Sequence, residues 1–389
     1  MTSPNLSPKS ALSIIPFLLL AANLRPALTS VGPLLADIQA STGISLTMAG
    51  ALNSLPLLAF AVFAPIAHLG RRLGMERTLV GALLLLVGGI LLRSSGSVFG
   101  LFAGSLCLAA GIGVGNILVP GIIKRDYPER VKALTTIYAV TLGLSAAIAS
   151  GLAVPLASSL PGGWQTALAM WAVPALIAAL AWTPIALRQG KSGLHQRATA
   201  STPLWRSPLA WFVTGYMGLQ SLYFYVAVAW LPTVFQSYGY SPAEAGLLVT
   251  IFQLVALAMS AMTPLLLGRR RDQSVAASAA ALAMAAGIAG FLLSPGLAYL
   301  WVAVLGLGGG ACLPLALAFI SLRAADHHQA ASLSMMAQSI GYFLAALGPF
   351  AVGLIHDLAG AWSFPLAVLV VLGLIQAVIG YEAGRDKTL

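Results

Sequence analysis

Charged residues are scarce in this chain, and acidic residues are the scarcest of them. Only 8% of the 389 residues are charged, and Asp and Glu together number 10. About a quarter of the residues of a soluble domain are charged, so this composition excludes an ordinary soluble globular protein. Apolar residues instead make up 59% of the chain, and the mean hydropathy is +0.92. The composition therefore predicts a polytopic membrane protein.

The residues that build enzyme and metal sites are also few. The two cysteines, Cys107 and Cys312, lie singly in apolar runs, which favours structural roles over a disulfide or a metal site. The five histidines fall mostly at loops or helix ends, and no Ser-His-Asp, metal-ligand or phosphate-loop pattern is present in the sequence. We therefore expect no enzyme activity, no catalytic residues, no metal and no cofactor.

Long apolar runs are what the chain has in abundance. Twelve of them follow one another, each close to the length of about 20 residues that a membrane-spanning helix needs. Because the backbone must be hydrogen-bonded internally within lipid, continuous runs of this length are helices. We number them spans 1 to 12: 10–35, 45–68, 77–94, 98–122, 132–158, 164–187, 208–232, 242–267, 274–293, 296–320, 329–355 and 362–383.

Basic residues mark one side of these spans. The net charge is +10, and with the N-terminus inside, all Lys and Arg except Arg25 and Arg93 fall in loops and tails on the cytoplasmic side or close to it. By the positive-inside rule, both termini are predicted to be cytoplasmic. The charge is therefore an orientation signal, with contacts to anionic membrane lipid as a secondary role, and no nucleic-acid partner is expected.

The chain also repeats itself. Ser45–Gly50 matches Ser241–Gly246, 196 residues later, and Gly70–Arg72 matches Gly268–Arg270, 198 residues later. Two parallel six-helix halves of this kind place a substrate site between them, near the midplane of the bilayer. The predicted units are an N-terminal bundle at 1–187, a cytoplasmic linker at 188–207 and a C-terminal bundle at 208–389.

This organisation resembles the major facilitator superfamily over nearly the full length of the chain, and motifs in both halves resemble its cyanate permease branch. They include Asn23-Leu24-Arg25-Pro26, Gly32-Pro33-Leu34, Gly115-Asn116, Trp230-Leu231-Pro232 and Met336-Ala337-Gln338-Ser339. The resemblance implies an all-α integral membrane fold, with twelve transmembrane helices in two pseudo-symmetric six-helix bundles. It also implies a monomer in the bacterial inner membrane. One departure is Arg71, which stands where the superfamily has an Asp that helps to hold the cytoplasmic side shut.

Arg25 lies near the middle of span 1 and is the only charged residue in it. A cation at that depth costs about 2.5 to 3.5 kcal/mol on insertion scales. It lies roughly ten residues, about 15 Å, from the outer end of its run, which is too far for the side chain to reach water. A planar guanidinium fits a carboxylate, cyanate or nitro group through paired hydrogen bonds. The alternative is a structural role on backbone carbonyls.

Further candidates for substrate binding come from the resemblance, which implies that spans 1, 4, 7 and 10 line a central cavity. Span 1 offers Asn23 and Thr29, and Thr29 shares a helix face with Arg25. Asn116 in span 4 is either a ligand contact or an interhelical hydrogen bond. Span 7 offers an amide and flat rings that suit a small planar solute, with ordinary packing as the alternative: Gln220, Tyr223, Phe224 and Tyr225.

Spans 8 and 11 supply the remaining candidates. Gln253, Gln338 and Tyr342 are either substrate contacts or hydrogen bonds between helices. His356 and Asp357, near the outer end of span 11, are candidates for proton coupling, and a polar helix end is the alternative. Two other acidic residues, Asp37 and Glu244, are expected in outer loops.

Together these features predict a secondary active transporter with Arg25 as its central site residue. It would move a small planar or anionic solute, 2-nitroimidazole-like or cyanate-like, across the inner membrane by alternating access. The alternatives are a transporter of an unrelated small organic anion and a transporter-like solute sensor. The predicted partners are a small-molecule substrate and membrane lipid.

Overall fold

A computed structural model of the chain describes residues 14–63, 74–188, 204–268, 270–325 and 327–389. The regular elements in these ranges are α-helices and short 3-10 turns, so the all-α prediction is confirmed. The loop that contains Arg71 and most of the predicted linker at 188–207 lie outside the described residues.

The helices follow the predicted spans closely. Eleven of the described helical segments are long and apolar enough to cross a membrane, and the shorter apolar helix Leu46–Leu58 lies at span 2. The predicted bounds of spans 8 and 9 coincide with the observed ones. After span 1, the helices are Leu46–Phe63, Met75–Arg93, Val98–Asp126, Val131–Ser159, Gly163–Ala169 with Ala172–Arg188, Pro208–Ser237, Pro242–Leu267, Ser274–Leu293, Ala298–Arg323, His327–Ala359 and Ser363–Gly384.

Span 1 departs from the simple helix that the apolar run predicts. It is divided into Ile14–Asn23, Pro26–Thr29, a 3-10 turn at Gly32–Leu34 and Leu35–Thr42. Pro26 and Pro33 have no N–H to donate to the helical ladder, so each leaves a backbone carbonyl without its usual partner. Irregular backbone at membrane depth is stable only where protein or a cavity surrounds it. The interrupted backbone around Arg25 is therefore expected to be surrounded by protein or by a cavity, and not by lipid.

Donors from neighbouring helices satisfy this irregular backbone. The hydroxyl of Ser150 in span 5 donates to the carbonyl of Thr29 at 3.1 Å. Arg93 at the end of span 3 donates through Nη1 to the carbonyl of Ala27. Spans 3 and 5 thus hold the broken part of span 1 in place.

Two expectations about acidic residues are wrong. Asp37 lies in the helix Leu35–Thr42 and not in a loop, because span 1 continues beyond Leu35. Glu244 lies in the first turn of span 8, where its carboxylate accepts hydrogen bonds from the backbone and hydroxyl of Ser241 at 2.8 and 2.7 Å. This reciprocal capping box fixes the start of the helix. Both side chains are exposed.

The two halves approach backbone to backbone on the side opposite the basic loops, which we call the outer side. A Cβ atom on Gly50 would lie 2.4 Å from the carbonyl oxygen of Pro349. A Cβ atom on Gly353 would lie 2.4 Å from the carbonyl oxygen of Leu46. Small residues permit such close packing of helices in membranes. Glycine at these positions is therefore a requirement of the contact between spans 2 and 11.

Hydrogen bonds reinforce this outer contact. The hydroxyl of Ser54 in span 2 accepts from the backbone N–H of Phe350 in span 11 at 3.1 Å. Between spans 5 and 8, Gln253 donates to the hydroxyl of Ser150 at 2.8 Å, and Thr250 donates to the carbonyl of Ala147 at 3.2 Å. The outer side of the interface is closed by these contacts.

The hydrophobic core divides in a matching way. One buried cluster combines outer residues of the first half, such as Leu34 and Leu52, with residues of the second half. A second cluster contains only first-half residues, among them Phe17, Met75 and Trp182. The halves therefore share a core on the outer side, while the first half has its own core toward the basic side.

Each half is also tied internally at its basic end. Arg125 in span 4 forms ion pairs with Asp126, at 2.6 Å, and with the buried Glu76 of span 3. The hydrogen bond to Asp126, together with that to Glu76, raises the pKa of the Arg125 guanidinium above its ordinary value. Its repeat counterpart Arg323, 198 residues later, is fully buried and donates to the carbonyl of Arg271 at 2.6 Å.

Candidate functional site

A cavity lies beside the interruption in span 1, between spans 1 to 4 of the first half and span 7 of the second. Its volume is about 30 Å³. We call it the central chamber. Its polar and aromatic lining consists of Arg25, Thr29, Asn53, Arg93, Ser105, Phe224 and Tyr225.

Arg25 projects from the gap between the helices Ile14–Asn23 and Pro26–Thr29 and is half-buried. Its Nη1 donates to the hydroxyl of Tyr225 at 3.3 Å. Its guanidinium carbon lies 5.7 Å from the ring centre of Phe224 and 5.9 Å from that of Tyr225. Cation–π contacts at this distance stabilise a guanidinium in a site with little water. The predicted meeting of spans 1 and 7 at Arg25 is present in the structure.

Tyrosines from two other spans also lie near Arg25. The guanidinium interacts electrostatically with Tyr138 of span 5 and Tyr342 of span 11, as well as with Tyr225. The hydroxyl of Tyr138 donates to Oδ1 of Asn116 at 2.9 Å, which connects Asn116 to this group. Arg25 thus faces hydroxyl groups from both halves. Tyr138 was missed because the family resemblance directs attention to spans 1, 4, 7 and 10.

Several predicted site residues use their polar atoms in helix packing. Thr29 lines the chamber, but its hydroxyl donates to the carbonyl of Ala146 at 3.0 Å. Asn23 is buried and donates to the carbonyls of Leu19 and Pro174 at 2.7 and 3.1 Å. These contacts position span 1 against spans 5 and 6.

Within span 7, neighbouring candidates point in different directions. Tyr223 is buried and donates to the carbonyl of Leu369 in span 12. Gln220 donates to the hydroxyl of Ser221 at 2.6 Å on its own helix. Successive side chains on an α-helix are about 100° apart, so Tyr223 turns away from the chamber that Tyr225 lines. Neither Tyr223 nor Gln220 contributes to the chamber wall.

The candidates in spans 8 and 11 divide in the same manner. Gln253 is committed to the contact with Ser150 that closes the outer interface. Gln338 donates to the hydroxyl of Ser334 at 2.7 Å, one turn away on its own helix. The phenol of Tyr342, in turn, interacts electrostatically with Arg25.

The predicted coupling pair lies at the outer ends of the spans and outside the chamber. One carboxylate oxygen of Asp357 accepts from both the backbone N–H and the hydroxyl of Thr47, at 2.8 and 2.5 Å. Thr47 begins span 2, so this carboxylate of span 11 caps a helix of the other half. The His356 ring packs on Trp362, with ring centres 4.3 Å apart. Asp357 is therefore part of the contact between the halves.

Arg93 is the residue that the sequence reasoning most clearly missed. Arg93 ends its helix, as the apolar run predicts, but its side chain is only 1% exposed and lines the central chamber. Its Nη1 donates to the carbonyl of Ala27, and its Nε and Nη2 have no hydrogen-bond partner in the part of the chain that the structure describes. A signal was available, because Arg93 and Arg25 are the basic residues that the topology leaves away from the cytoplasmic side.

The chemistry of the chamber is that of binding. Arginine, hydroxyl, amide and aromatic groups line it, and groups of this kind can bind a small polar solute. Across the described ranges, His, Cys, Asp and Glu side chains nowhere form a group of three or more that could hold a metal ion.

Comparisons with known proteins agree with this architecture. The family model described as Major Facilitator Superfamily matches residues 18–346. The chain is 44% identical to the 2-nitroimidazole transporter of Escherichia coli (strain K12), over 100% of this chain and 99% of that protein. It is 30% identical to the cyanate transport protein CynX of the same organism, over 97% of this chain and 98% of that protein.

A likeness to a solved structure extends to the whole fold. The crystal structure of a D-xylose-proton symporter superposes with a TM-score of 0.79 over 97% of this chain and 99% of that one. The sequence identity is 13%, so this likeness concerns the fold alone.

Proposed function

Because this chain belongs to the Major Facilitator Superfamily, a family of membrane transporters, we propose that it carries a small planar or anionic solute across the bacterial inner membrane by alternating access. One observation carries the proposal. Arg25 projects into a chamber at the interruption of span 1, and its contacts there are aromatic rings and hydroxyl groups. An arginine in such a setting is available to an electron-rich solute.

The proposed binding wall is the part of the predicted site that surrounds Arg25. Phe224 and Tyr225 supply flat rings, Asn116 accepts a hydrogen bond from Tyr138, and Tyr342 interacts electrostatically with Arg25 and Tyr225. In this proposal the remaining candidates hold the helices in register and touch no solute: Asn23, Gln220, Tyr223, Gln253 and Gln338.

The solute class rests on the chamber and on the relatives. The relatives are named for 2-nitroimidazole and for cyanate, which are both small and offer acceptor atoms in one plane or line. A volume of about 30 Å³ has room for roughly two water-sized groups, so a solute larger than that requires the halves to open around the chamber. Arg25 would pair with the acceptor atoms while Phe224 stacks near the solute.

Alternating access is supported by the unequal packing of the halves. The outer side is closed by glycine contacts and by the cap from Asp357, while the first half keeps a separate core toward the basic side. With both termini in the cytoplasm, as the basic loops predict, this state is closed to the outside. The halves at 1–187 and 208–389 would rock about the chamber as a monomer, with the linker at 188–207 and the basic loops near membrane lipid.

The proposal is tested on the full chain purified in detergent. Thermal unfolding is followed with cyanate, a small carboxylate, nitrate and 2-nitroimidazole, and uptake of any stabilising compound is then measured in proteoliposomes. A ligand that binds the folded state raises its stability by mass action. We expect one class of compound to stabilise the protein and to be transported, and Arg25→Ala to lose both effects.

Arg206→Ala provides the matched control, because Arg206 is exposed beside the start of span 7 and lies outside the chamber. Stabilisation that persists in Arg25→Ala would place the site elsewhere. Binding without uptake would favour the sensor over the transporter.

A further inference from the structure

Among the described residues, two arginines are almost completely buried, and their surroundings differ. Arg323 is 0% exposed, donates to the carbonyls of Arg271 and Gly384 at 2.6 and 3.1 Å, and has the carboxylate of Asp386 at 3.7 Å. Arg93 is 1% exposed and donates to the carbonyl of Ala27. Among the described residues no carboxylate forms an ion pair with Arg93, and its Nε and Nη2 are without partners. A buried charge without an ion pair is strongly unfavourable unless another group, such as a bound anion, neutralises it.

The internal repeat shows that packing alone does not call for arginine at this position. Gly89 of span 3 packs on the backbone of Leu108, and its counterpart Gly287 of span 9, 198 residues later, packs on Leu305. The same offset of 198 relates Arg93 to Phe291. The two helices are therefore in register, and they carry different residues at equivalent places.

Phe291 fills its place with an apolar ring. It is 4% exposed and packs edge to face against Phe235 and Tyr238, with ring centres 5.0 Å apart in each pair. The second half thus completes its core with an aromatic residue where the first half carries a charge. The charge of Arg93 therefore has a role in the first half that its counterpart Phe291 does not have in the second half.

The surroundings of Arg93 indicate that this role concerns the central chamber. Arg93 lines the same cavity as Arg25, and the carbonyl that it contacts belongs to Ala27, two residues after Arg25. The described lining of the chamber contains two guanidinium groups and no carboxylate. The field in the chamber is positive, and it would favour an anion over a neutral molecule of the same shape.

We propose that Arg93 is a second anion-binding residue, and that the chamber takes a small anion with acceptor atoms at two ends or edges, one facing Arg25 and the other facing Arg93. Cyanate and small carboxylates have this chemistry, and inorganic anions such as nitrate and chloride share its charge. The inference narrows the solute class of the proposed function and rests on it for the place of the solute. Its binding part is measurable without transport.

The test measures dissociation constants of the full chain in detergent and chloride-free buffer, by calorimetric titration. The probes are cyanate, acetate, nitrate, chloride and the uncharged form of 2-nitroimidazole. Arg93→Gln keeps an N–H donor for the carbonyl of Ala27 and removes the charge, and Arg93→Lys keeps the charge. Arg323→Gln removes a buried arginine far from the chamber and serves as the matched control.

We expect Arg93→Gln to weaken anion binding by at least about tenfold, because hydrogen bonds to charged groups carry that much free energy. Binding of the uncharged compound should change far less, Arg93→Lys should retain part of the anion affinity, and Arg323→Gln should retain all of it. Binding of nitrate alone, lost in Arg93→Gln, would support the two-arginine site and assign it to an inorganic anion. Binding of chloride alone would overturn the two-ended solute, because a single atom offers no second acceptor.

Three other results would overturn the inference: unchanged anion affinity in Arg93→Gln, equal losses for charged and uncharged compounds, and a wild-type protein that binds none of the anions. Uptake in proteoliposomes separates this inference from the proposed function. Wild-type uptake with unaltered binding and uptake in Arg93→Gln would remove the inference and leave the transporter. Anion binding that depends on Arg93, in a protein that shows no uptake, would support the inference and remove the proposed transport function.

Discussion

The two halves of the molecule are alike where they touch on the outer side and unlike at the depth of the chamber. At the outer contact, Gly50 of the first half packs on a carbonyl of the second, and Gly353 of the second half packs on a carbonyl of the first. At the chamber, Arg93 stands where the second half has Phe291. The comparison teaches that duplication supplies the scaffold, while a departure from the repeat supplies the chemistry.

The unlike halves complement each other. The first half brings the guanidinium groups of Arg25 and Arg93, and the second half brings the rings of Phe224 and Tyr225. Aromatic faces are attracted to cations, and the attraction grows where water is excluded. A solute held between such walls meets charge on one side and flat apolar surface on the other.

The strongest test of this comparison exchanges the two residues. Phe291→Arg would put an unpaired charge into a buried aromatic cluster and should destabilise the protein by about 3–5 kcal/mol. Arg93→Phe loses one hydrogen bond to Ala27 but removes a buried charge, so its stability should stay within about 2 kcal/mol of wild type. Thermal unfolding in detergent compares the two. Equal losses would show that the positions are not specialised.

Removing the charge of Arg25 should have the next largest effect. Arg25→Ala is expected to weaken solute binding by about 1.5–3 kcal/mol, because it removes the charge-assisted hydrogen bonds that hold the solute. Arg25→Lys keeps the charge without the fork of paired donors, so uptake should fall between wild type and Arg25→Ala. Uptake in proteoliposomes and binding in detergent measure both variants. Wild-type uptake by Arg25→Lys would contradict recognition through paired hydrogen bonds.

The likeness of the outer contact can be tested from both sides. Gly50→Ala and Gly353→Ala each add a Cβ atom 2.4 Å from a backbone oxygen, so each should disfavour the closed outer side by about 1–3 kcal/mol. Disulfide cross-linking between Thr47→Cys and Asp357→Cys reports that closure and should fall similarly in both. Gly88→Ala is the control, since no atom lies within 4 Å of a Cβ there. A loss of cross-linking in only one of the two variants would show that the two halves do not contribute equally to the outer contact.

The smallest effect is expected from neighbouring hydroxyl groups on span 7. Tyr225→Phe removes the acceptor of Arg25 but keeps the ring, and should weaken solute binding by about 0.5–1.5 kcal/mol. Tyr223→Phe removes the bond to Leu369, outside the chamber, and should lower stability by a similar amount without changing affinity. Titration calorimetry and thermal unfolding distinguish the two. The opposite pattern would mean that Tyr223 faces the solute.

Much of the fold was predictable because it depends on local composition. The bounds predicted for spans 8 and 9, 242–267 and 274–293, coincide with the observed helices. Membership in the cyanate permease branch was also predicted from motifs and is confirmed by the relatives. The interruption of span 1 was missed although Pro26 and Pro33 signal it, because apolar composition alone does not reveal a break in the backbone ladder.

The candidate site was predictable only in part. Arg25 could be singled out because an isolated charge in an apolar run needs a partner wherever the helix lies. Which of Tyr223, Phe224 and Tyr225 faces it depends on the rotation of span 7, and that rotation is set by packing against other spans. Tyr138 of span 5 and Arg93 of span 3 were missed for the same reason, because the packing of their helices decides that they lie near Arg25.

The sequence by itself determined that this is a membrane protein of about twelve spans, because composition and run length add up along the chain whatever its arrangement. Its motifs carried the resemblance to the superfamily. Its basic loops also predict the orientation. Only the tertiary structure decided which polar groups share the chamber, since helix rotation and the approach of the halves bring together Arg25, Arg93 and Tyr225, residues far apart in the chain. Contacts of that kind depend on how the helices pack in three dimensions, and no local sequence pattern specifies that packing.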